Sequence, residues 1–306
     1  MDTAGPAGGS SMTTNRRDYL KVNQETWDAW TRYHLGSRFY DLEGFKSGQR
    51  SGRAGLDALE AALLGDVAGK SLLHLQCHFG LDTLAWARRG ARVTGVDFSE
   101  EAIRAARALA GEMGIPAAFV HSNLYDLPTR LGGEFDIVFT SHGVLGWLPE
   151  LAGWARMIAR FLAPGGAFCI IETHPFAMIF DDEVEDPALR PRYPYFHAPE
   201  PQRVERQGSY AAPDAPIRSI TYQWSHPMSE IIGSLLRAGL RIVSFDEYPF
   251  GGWAMFPWMA QRPDGTWELP PGMGSVPLMF SLVASKDESH GRGLGAAEAP
   301  DPRRGS

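Results

Sequence analysis

Apolar positions in this chain follow two periods, short unbroken runs of strand length and longer stretches whose apolar residues recur every three or four positions. Leu72, Leu73 and Leu75 form the first such run, which stops at Gln76-Cys77-His78-Phe79-Gly80. A helix carried by Leu84, Ala85, Trp86 and Ala87 follows, with Asp82 placed to cap it. The same reading gives strands at 92–96, 117–121, 135–140 and 167–172, with helices at 100–113 and 149–162 between them. Beyond a gap come a strand at 219–224, a helix at 228–238 and strands at 241–246 and 278–285. Ahead of them all, residues 18–35 read as a helix with Trp27, Trp30 and His34 at helical spacing, followed by an irregular 36–55 rich in Arg, Tyr and Phe.

Strands and helices that alternate in this way call for an α/β architecture, a parallel sheet covered on both faces. Residues at the C-terminal strand tips, where such sheets bind ligands, are then Gln76, Asp97, Asn123, Ser141 and Glu172. Two kinds of segment break the pattern. Residues 1–16 and 286–306 lack periodicity and read as disordered tails. Residues 174–217 are rich in proline, aromatic and arginine residues and exceed ordinary loop length, which reads as a cap over the sheet edge.

Composition narrows the class. The 306 residues suffice for one large core, or for a nucleotide domain with an insertion. A hydrophobic content of 44% without an apolar run of spanning length points to a soluble protein with no membrane partner, and no secretory signal precedes the helix, so the expected location is cytoplasmic. Cys77 and Cys169 make no disulfide framework, and neither they nor the nine histidines show metal-ligand spacing, so no metal site is expected. A net charge of -7 argues against nucleic-acid binding. Small molecules are the expected partners, with a homo-oligomer left open.

The opening strand, turn and helix form half of a nucleotide site. Asp97, at the tip of the second strand, is placed to accept hydrogen bonds from the two hydroxyls of a ribose, which points to an adenosine derivative. A dinucleotide site would want GxGxxG so that backbone amides approach a pyrophosphate. Only Gly80 of that pattern is present, and Gln76, His78 and Phe79 would obstruct two phosphates, which disfavours NAD or FAD.

With Ser122-Asn123-Leu124-Tyr125-Asp126-Leu127-Pro128, Phe135-Asp136-Ile137-Val138-Phe139-Thr140 and Leu162-Ala163-Pro164-Gly165-Gly166 in order, the chain resembles the class I S-adenosylmethionine (SAM) dependent methyltransferases over about residues 60 to 285. The resemblance implies a Rossmann-like, seven-stranded, mostly parallel sheet with helices on both faces and a final antiparallel strand. It divides the chain into a helical lid (17–60), a SAM-binding core (61–175), an inserted substrate cap (176–218) and the remaining core (219–285). SAM is then the cofactor, held by Gln76, Cys77, Gly80, Asp97, Phe98, Asn123, Leu124 and Ser141, with Asn123 and the Leu124 amide beside the adenine. The first motif departs from the family's pattern: His74 stands in place of an acid, and Gln76 and His78 in place of glycines.

For catalysis, Glu172 ends a central strand where the methyl group would be delivered and reads as a general base, with His174 as its rival. Trp147, Phe176, Tyr222 and Trp224 represent the ring-rich surroundings of a substrate, and Arg192 a group able to bind its anionic head. Together these features resemble bacterial methyltransferases that add a carbon to an allylic prenyl diphosphate, such as geranyl diphosphate, through a carbocation. That chemistry brings in Mg2+ on the diphosphate, with Asp181-Asp182-Glu183 as a source of ligands. O- or N-methylation of a natural product is the alternative on the same scaffold, and a noncatalytic SAM-binding protein the alternative of another class.

Overall fold

Leu72, Leu73 and Leu75 are fully buried because their strand runs through the middle of a sheet packed on both faces. The computed structural model describes residues 9–49 and 56–287. In chain order the strands of the first half are β1 (Ser71–Leu75), β2 (Arg92–Asp97), β3 (Ala117–His121), β4 (Phe135–Thr140) and β5 (Leu162–Thr173). The second half adds β6 (Gln202–Gln207), β7 (Arg218–Gln223), β8 (Leu240–Tyr248), the two-residue β9 (Phe250–Gly251), β10 (Ala260–Gln261) and β11 (Trp267–Glu268), and β12 (Met279–Lys286). The helices are α1 (Gly9–His34), α2 (Leu42–Lys46), α3 (Asp57–Leu64), α4 (Leu81–Arg88), α5 (Glu100–Met113), α6 (Leu151–Phe161) and α7 (Met228–Arg237).

Seven strands form one sheet in the order β3-β2-β1-β4-β5-β12-β8. All neighbours from β3 to β5 are parallel, and β12 runs antiparallel to both β5 and β8. This is the Rossmann-like architecture the sequence predicts. On one face Trp154, Ile158 and Phe161 of α6 and Ile231 and Leu235 of α7 pack on Phe168, Ile170, Phe280 and Leu282. On the other, Leu84 of α4 and Ile103, Ala106 and Leu109 of α5 pack with Phe79 and Phe119, while Val67 and Trp86 cover Leu72, Phe139 and Cys169. Among the described residues no helix is long and apolar enough to cross a membrane.

Four features differ from the expectation. The first helix begins at Gly9, inside the stretch read as a tail, whose residues 1–8 lie outside the described residues, as does 288–306 at the other end. A further helix, α3, contributes the buried Glu60 and crosses the expected boundary between lid and core. The strand at 219–224 does not enter the main sheet; β7 pairs with β6 in a separate antiparallel hairpin. Its other edge is covered by α1, where the Asn23 side chain donates to Tyr222 O (2.7 Å) and accepts from Tyr222 N (2.8 Å), and Thr26 Oγ1 donates to Ile220 O (2.8 Å). Finally, β9, β10 and β11 make a small sheet within a stretch that shows no strand period.

Candidate active site

The turn after β1 takes its shape from three left-handed residues, Gln76 (φ 57°), His78 (φ 51°) and Gly80 (φ 82°). Only glycine adopts that conformation without cost, so the two side chains are held there at about 1–2 kcal/mol each. Gly80 is further restricted, because a Cβ would stand 2.7 Å from Phe119 Cε1. Asp97 steadies the turn from β2: its carboxylate accepts from the backbone N–H groups of His78 and Ser99, both at 2.8 Å. Burial pushes the Asp97 carboxyl up to about 6, against the opposing pull of those two donors.

His74 occupies the acid's place beneath this turn. It is fully buried, with Nδ1 2.8 Å from Thr83 Oγ1 and Nε2 3.1 Å from Ser141 Oγ. Burial lowers its pKa to about 3, so it is a neutral strut between α4 and the loop after β4. It does not border the crevice, so it cannot meet a ligand's ammonium. Gln76 is better placed: Nε2 donates to Val144 O (3.1 Å), while Oε1 is buried in the crevice wall without a hydrogen-bond partner. An orphaned acceptor there fits the amino group of SAM.

The predicted cofactor residues Gln76, Cys77, Gly80, Asp97, Phe98, Asn123, Leu124 and Ser141 all border this one crevice. Asn123 has a local role as well, since its Oδ1 accepts from Tyr125 N (2.9 Å) at the start of a 3₁₀ turn. The crevice meets a second chamber, of about 300 Å³. Trp27, Phe39, His142, Gly143, Trp147 and Tyr210 border both spaces and therefore surround the junction. Trp30, Phe180, Tyr193, Tyr195, Trp224, Trp253 and Phe256 also line the chamber, beside polar residues such as Asp182, Arg206, Thr221 and Gln223.

The C-terminal end of α1 bridges the turn after β1 and the β6–β7 connection beside this junction: His34 Nδ1 lies 2.9 Å from His78 Nε2, and His34 Nε2 lies 2.9 Å from Ser209 Oγ. Burial lowers the His34 pKa to about 3, so this ring is neutral.

Five expected roles need correction. Glu172 is 3% exposed and borders the chamber, but its carboxylate is fully engaged with backbone donors. Oε1 accepts from Gly143 N and Thr173 N (both 2.6 Å), and Oε2 from Val144 N (2.7 Å) and Leu145 N (3.2 Å). Burial raises its pKa while these four N–H groups pull it back. Glu172 thus anchors the loop carrying His142 and Trp147, and has no lone pair directed to a substrate proton. His174 turns away from the chamber, with Nε2 2.8 Å from Glu247 Oε1 and Nδ1 accepting from Phe176 N (3.0 Å). Burial lowers its pKa, with Glu247 opposing.

Among the substrate residues, Trp147 and Trp224 border the chamber but the others do not. Phe176 is 37% exposed against Phe180. Arg192 is paired with Asp181 (2.8 Å) and Glu183 (2.6 Å). Tyr222 faces α1 and lies against Tyr19, because Thr221 and Gln223 on either side point into the chamber. A candidate that the sequence reading does not single out is His142, whose Nε2 lies 3.2 Å from Glu60 Oε1, both side chains being buried. Its position directly after Ser141 at a strand tip was the available signal.

The sheet order and the turn after β1 match the Rossmann-like fold found in class I SAM-dependent methyltransferases. Comparison agrees: residues 73–170 match the family model described as a methyltransferase domain. Ubiquinone biosynthesis O-methyltransferase of Escherichia coli O7:K1 (strain IAI39 / ExPEC) is 30% identical over 154 residues, 50% of this chain and 63% of that protein. The enzyme of the same name from Erwinia tasmaniensis is 32% identical over 133 residues, covering 43% of this chain and 54% of that protein. The chain thus spans less than two thirds of the length of these relatives. A SAM-dependent methyltransferase structure from Mesorhizobium loti superposes with a TM-score of 0.53 at 18% identity, over 76% of this chain and 97% of that one. A Listeria monocytogenes protein assigned to the same class gives a TM-score of 0.56 at 18% identity and the same coverage.

Proposed function

We propose that the chain is a SAM-dependent O-methyltransferase of an apolar, ring-bearing small molecule, with His142 as general base. The observation that carries this reading is the placement of His142, which borders both the cofactor crevice and the aromatic chamber and has Glu60 behind it. When bound, SAM supplies an electrophilic methyl group on a positively charged sulfur. Asp97 is placed to hold the ribose hydroxyls, Gln76 Oε1 the amino group, and Asn123 with the Leu124 amide the adenine. Trp27, Trp147 and Tyr210 exclude water from the junction and present ring faces to the positive charge. His142 would accept the proton of the acceptor hydroxyl as its oxygen takes the methyl carbon and the carbon–sulfur bond breaks to leave neutral S-adenosylhomocysteine, and the Glu60 carboxylate would stabilise the resulting imidazolium. Relatives named as O-methyltransferases support oxygen as the acceptor atom.

C-methylation of a prenyl diphosphate lacks comparable support. Its expected base, Glu172, is committed to four backbone donors. Arg192 holds Asp181 and Glu183, and Arg206 holds Asp182, which ties the proposed diphosphate and Mg2+ groups to each other. Noncatalytic SAM binding predicts no methyl transfer to any acceptor. The test is transfer of labelled methyl from SAM to a panel of hydroxylated aromatic compounds, comparing the native chain with His142→Gln. A loss of roughly 10²–10⁴-fold in turnover with S-adenosylhomocysteine affinity kept supports the base. Unchanged turnover in the variant, or methylation of carbon in a prenyl diphosphate instead, refutes the proposal.

A further inference from the structure

We infer that His197, His226 and Glu230 form a binding site for a divalent transition-metal ion of the zinc class, joining the cap to the core. The site is independent of the methyl-transfer reading. One potential ligand atom from each residue lies within 4.8 Å of the other two. Sequence spacing conceals the cluster, since His226 and Glu230 stand one helical turn apart while His197 comes from the cap.

Hydrogen bonding to carbonyls orients both rings. His226 is 4% exposed, and its Nε2 lies 2.8 Å from Leu148 O. A carbonyl oxygen only accepts, so Nε2 carries the proton, which leaves the Nδ1 lone pair facing Glu230 Oε2 at 3.1 Å. A lone pair facing a carboxylate oxygen requires a cation between them, either a second proton or a metal ion. His197 distinguishes the two cases. Its Nδ1 donates to Ser225 O (3.2 Å), which leaves Nε2 as the ligand nitrogen, and its ring is stacked on His226 with centroids 5.0 Å apart. A second proton on His226 involves only Glu230, whereas a metal ion takes one ligand from each of the three side chains. A histidine that donates its other N–H to a backbone carbonyl is the usual second shell of a metal ligand.

Two imidazoles and one carboxylate suit zinc, cobalt or nickel better than magnesium or calcium, which prefer oxygen. Tetrahedral ligands at zinc distances stand about 3.4 Å apart and a bound ion lies in the plane of each imidazole, so the half-buried His197 ring has to turn out of its stack on His226 and close from as much as 4.8 Å. Three protein ligands leave a fourth position for water. The bound ion would connect the cap at His197, α7 at Glu230 and, through His226, the Leu148 carbonyl at the end of the Trp147 turn.

The test uses the untagged full-length chain, stripped with chelator and titrated with zinc chloride or cobalt chloride. Metal content by mass spectrometry and the visible absorption of four-coordinate cobalt are the readouts. One ion per chain is expected, with His197→Ala and Glu230→Gln each weakening it beyond the roughly 10–100-fold typical of losing an outer-shell partner. Retained S-adenosylhomocysteine affinity in both variants shows that they fold. Absence of stoichiometric binding, or binding that survives both substitutions, overturns the inference and leaves His226 and Glu230 as an ion pair only.

Discussion

Replacing Glu172 with glutamine separates an anchor from a base. The native carboxylate accepts four backbone N–H groups, two on each oxygen. Glutamine keeps one oxygen and puts an NH2 group in place of the other, so two backbone donors would face a donor. Hydrogen bonds to a charged group contribute about 1.5–3 kcal/mol each, so losing two costs about 3–6 kcal/mol. Removing a buried charge returns part of this, since burial already raises the Glu172 pKa, and the net loss falls near the lower end, about 3 kcal/mol. At roughly 2–4 °C per kcal/mol for chains above 150 residues, the melting midpoint drops by about 6–12 °C. Thermal unfolding of Glu172→Gln beside the native chain measures this directly. Turnover should fall too, because the loop carrying His142 and Trp147 loses its anchor, but the pH dependence of the remaining activity should keep its form. A general base would give the reverse pattern: an unchanged midpoint, a collapse in turnover and loss of one limb of the pH profile. That result refutes the anchor reasoning.

Asp97 predicts opposite pH trends for folding and for cofactor affinity. Its folded pKa of about 6 exceeds the ordinary 3.8, so its contribution to stability is fully present below about pH 4 and lost as pH rises through about 6, a change of about 3 kcal/mol. Ribose hydroxyls need the ionised acceptor, so calorimetry from about pH 5 to about pH 8 should show S-adenosylhomocysteine binding more weakly as pH falls through 6. Asp97→Asn should bind it about 30-fold more weakly and without that trend, and a flat native profile would contradict the assignment. Gly80→Ala meets both a left-handed φ and the Phe119 ring at 2.7 Å; a loss of at least about 2 kcal/mol in denaturant unfolding is expected, and an unaltered midpoint would count against the packing argument.

What could be read from the chain is what burial imprints on neighbouring residues. Leu72, Leu73 and Leu75 are apolar because both faces of β1 are covered, and Asp97 stands out because it ends such a run. The polar cap carries no such imprint: β6 reads Gln-Arg-Val-Glu-Arg-Gln and is mostly exposed, so neither it nor its pairing with β7 has a hydrophobic signature. Tyr222 reads as a substrate-facing ring, but on β7 its neighbours Thr221 and Gln223 take the chamber side, and a one-residue difference reverses a side chain. Glu172 differs from its expected role for another reason. Its position at a strand tip is visible in the sequence, but the backbone N–H groups that surround it belong to every residue type and leave no trace in composition. The His142 and Glu60 pair likewise depends on α3 reaching the junction, a tertiary fact.

The contact between Asn23 and Tyr222 has a consequence for how the molecule assembles. The amide side chain of Asn23 offers one donor and one acceptor in the arrangement a neighbouring strand would offer, so a helix ends the β6–β7 hairpin as an edge. Its partner lies 199 residues further along the chain, beyond the whole parallel half of the sheet. Contacts so distant in sequence carry a large loop-closure cost until the intervening core exists. The helix over the junction should therefore dock late in folding, and until it does the outer edge of β7 is open to pairing with another chain.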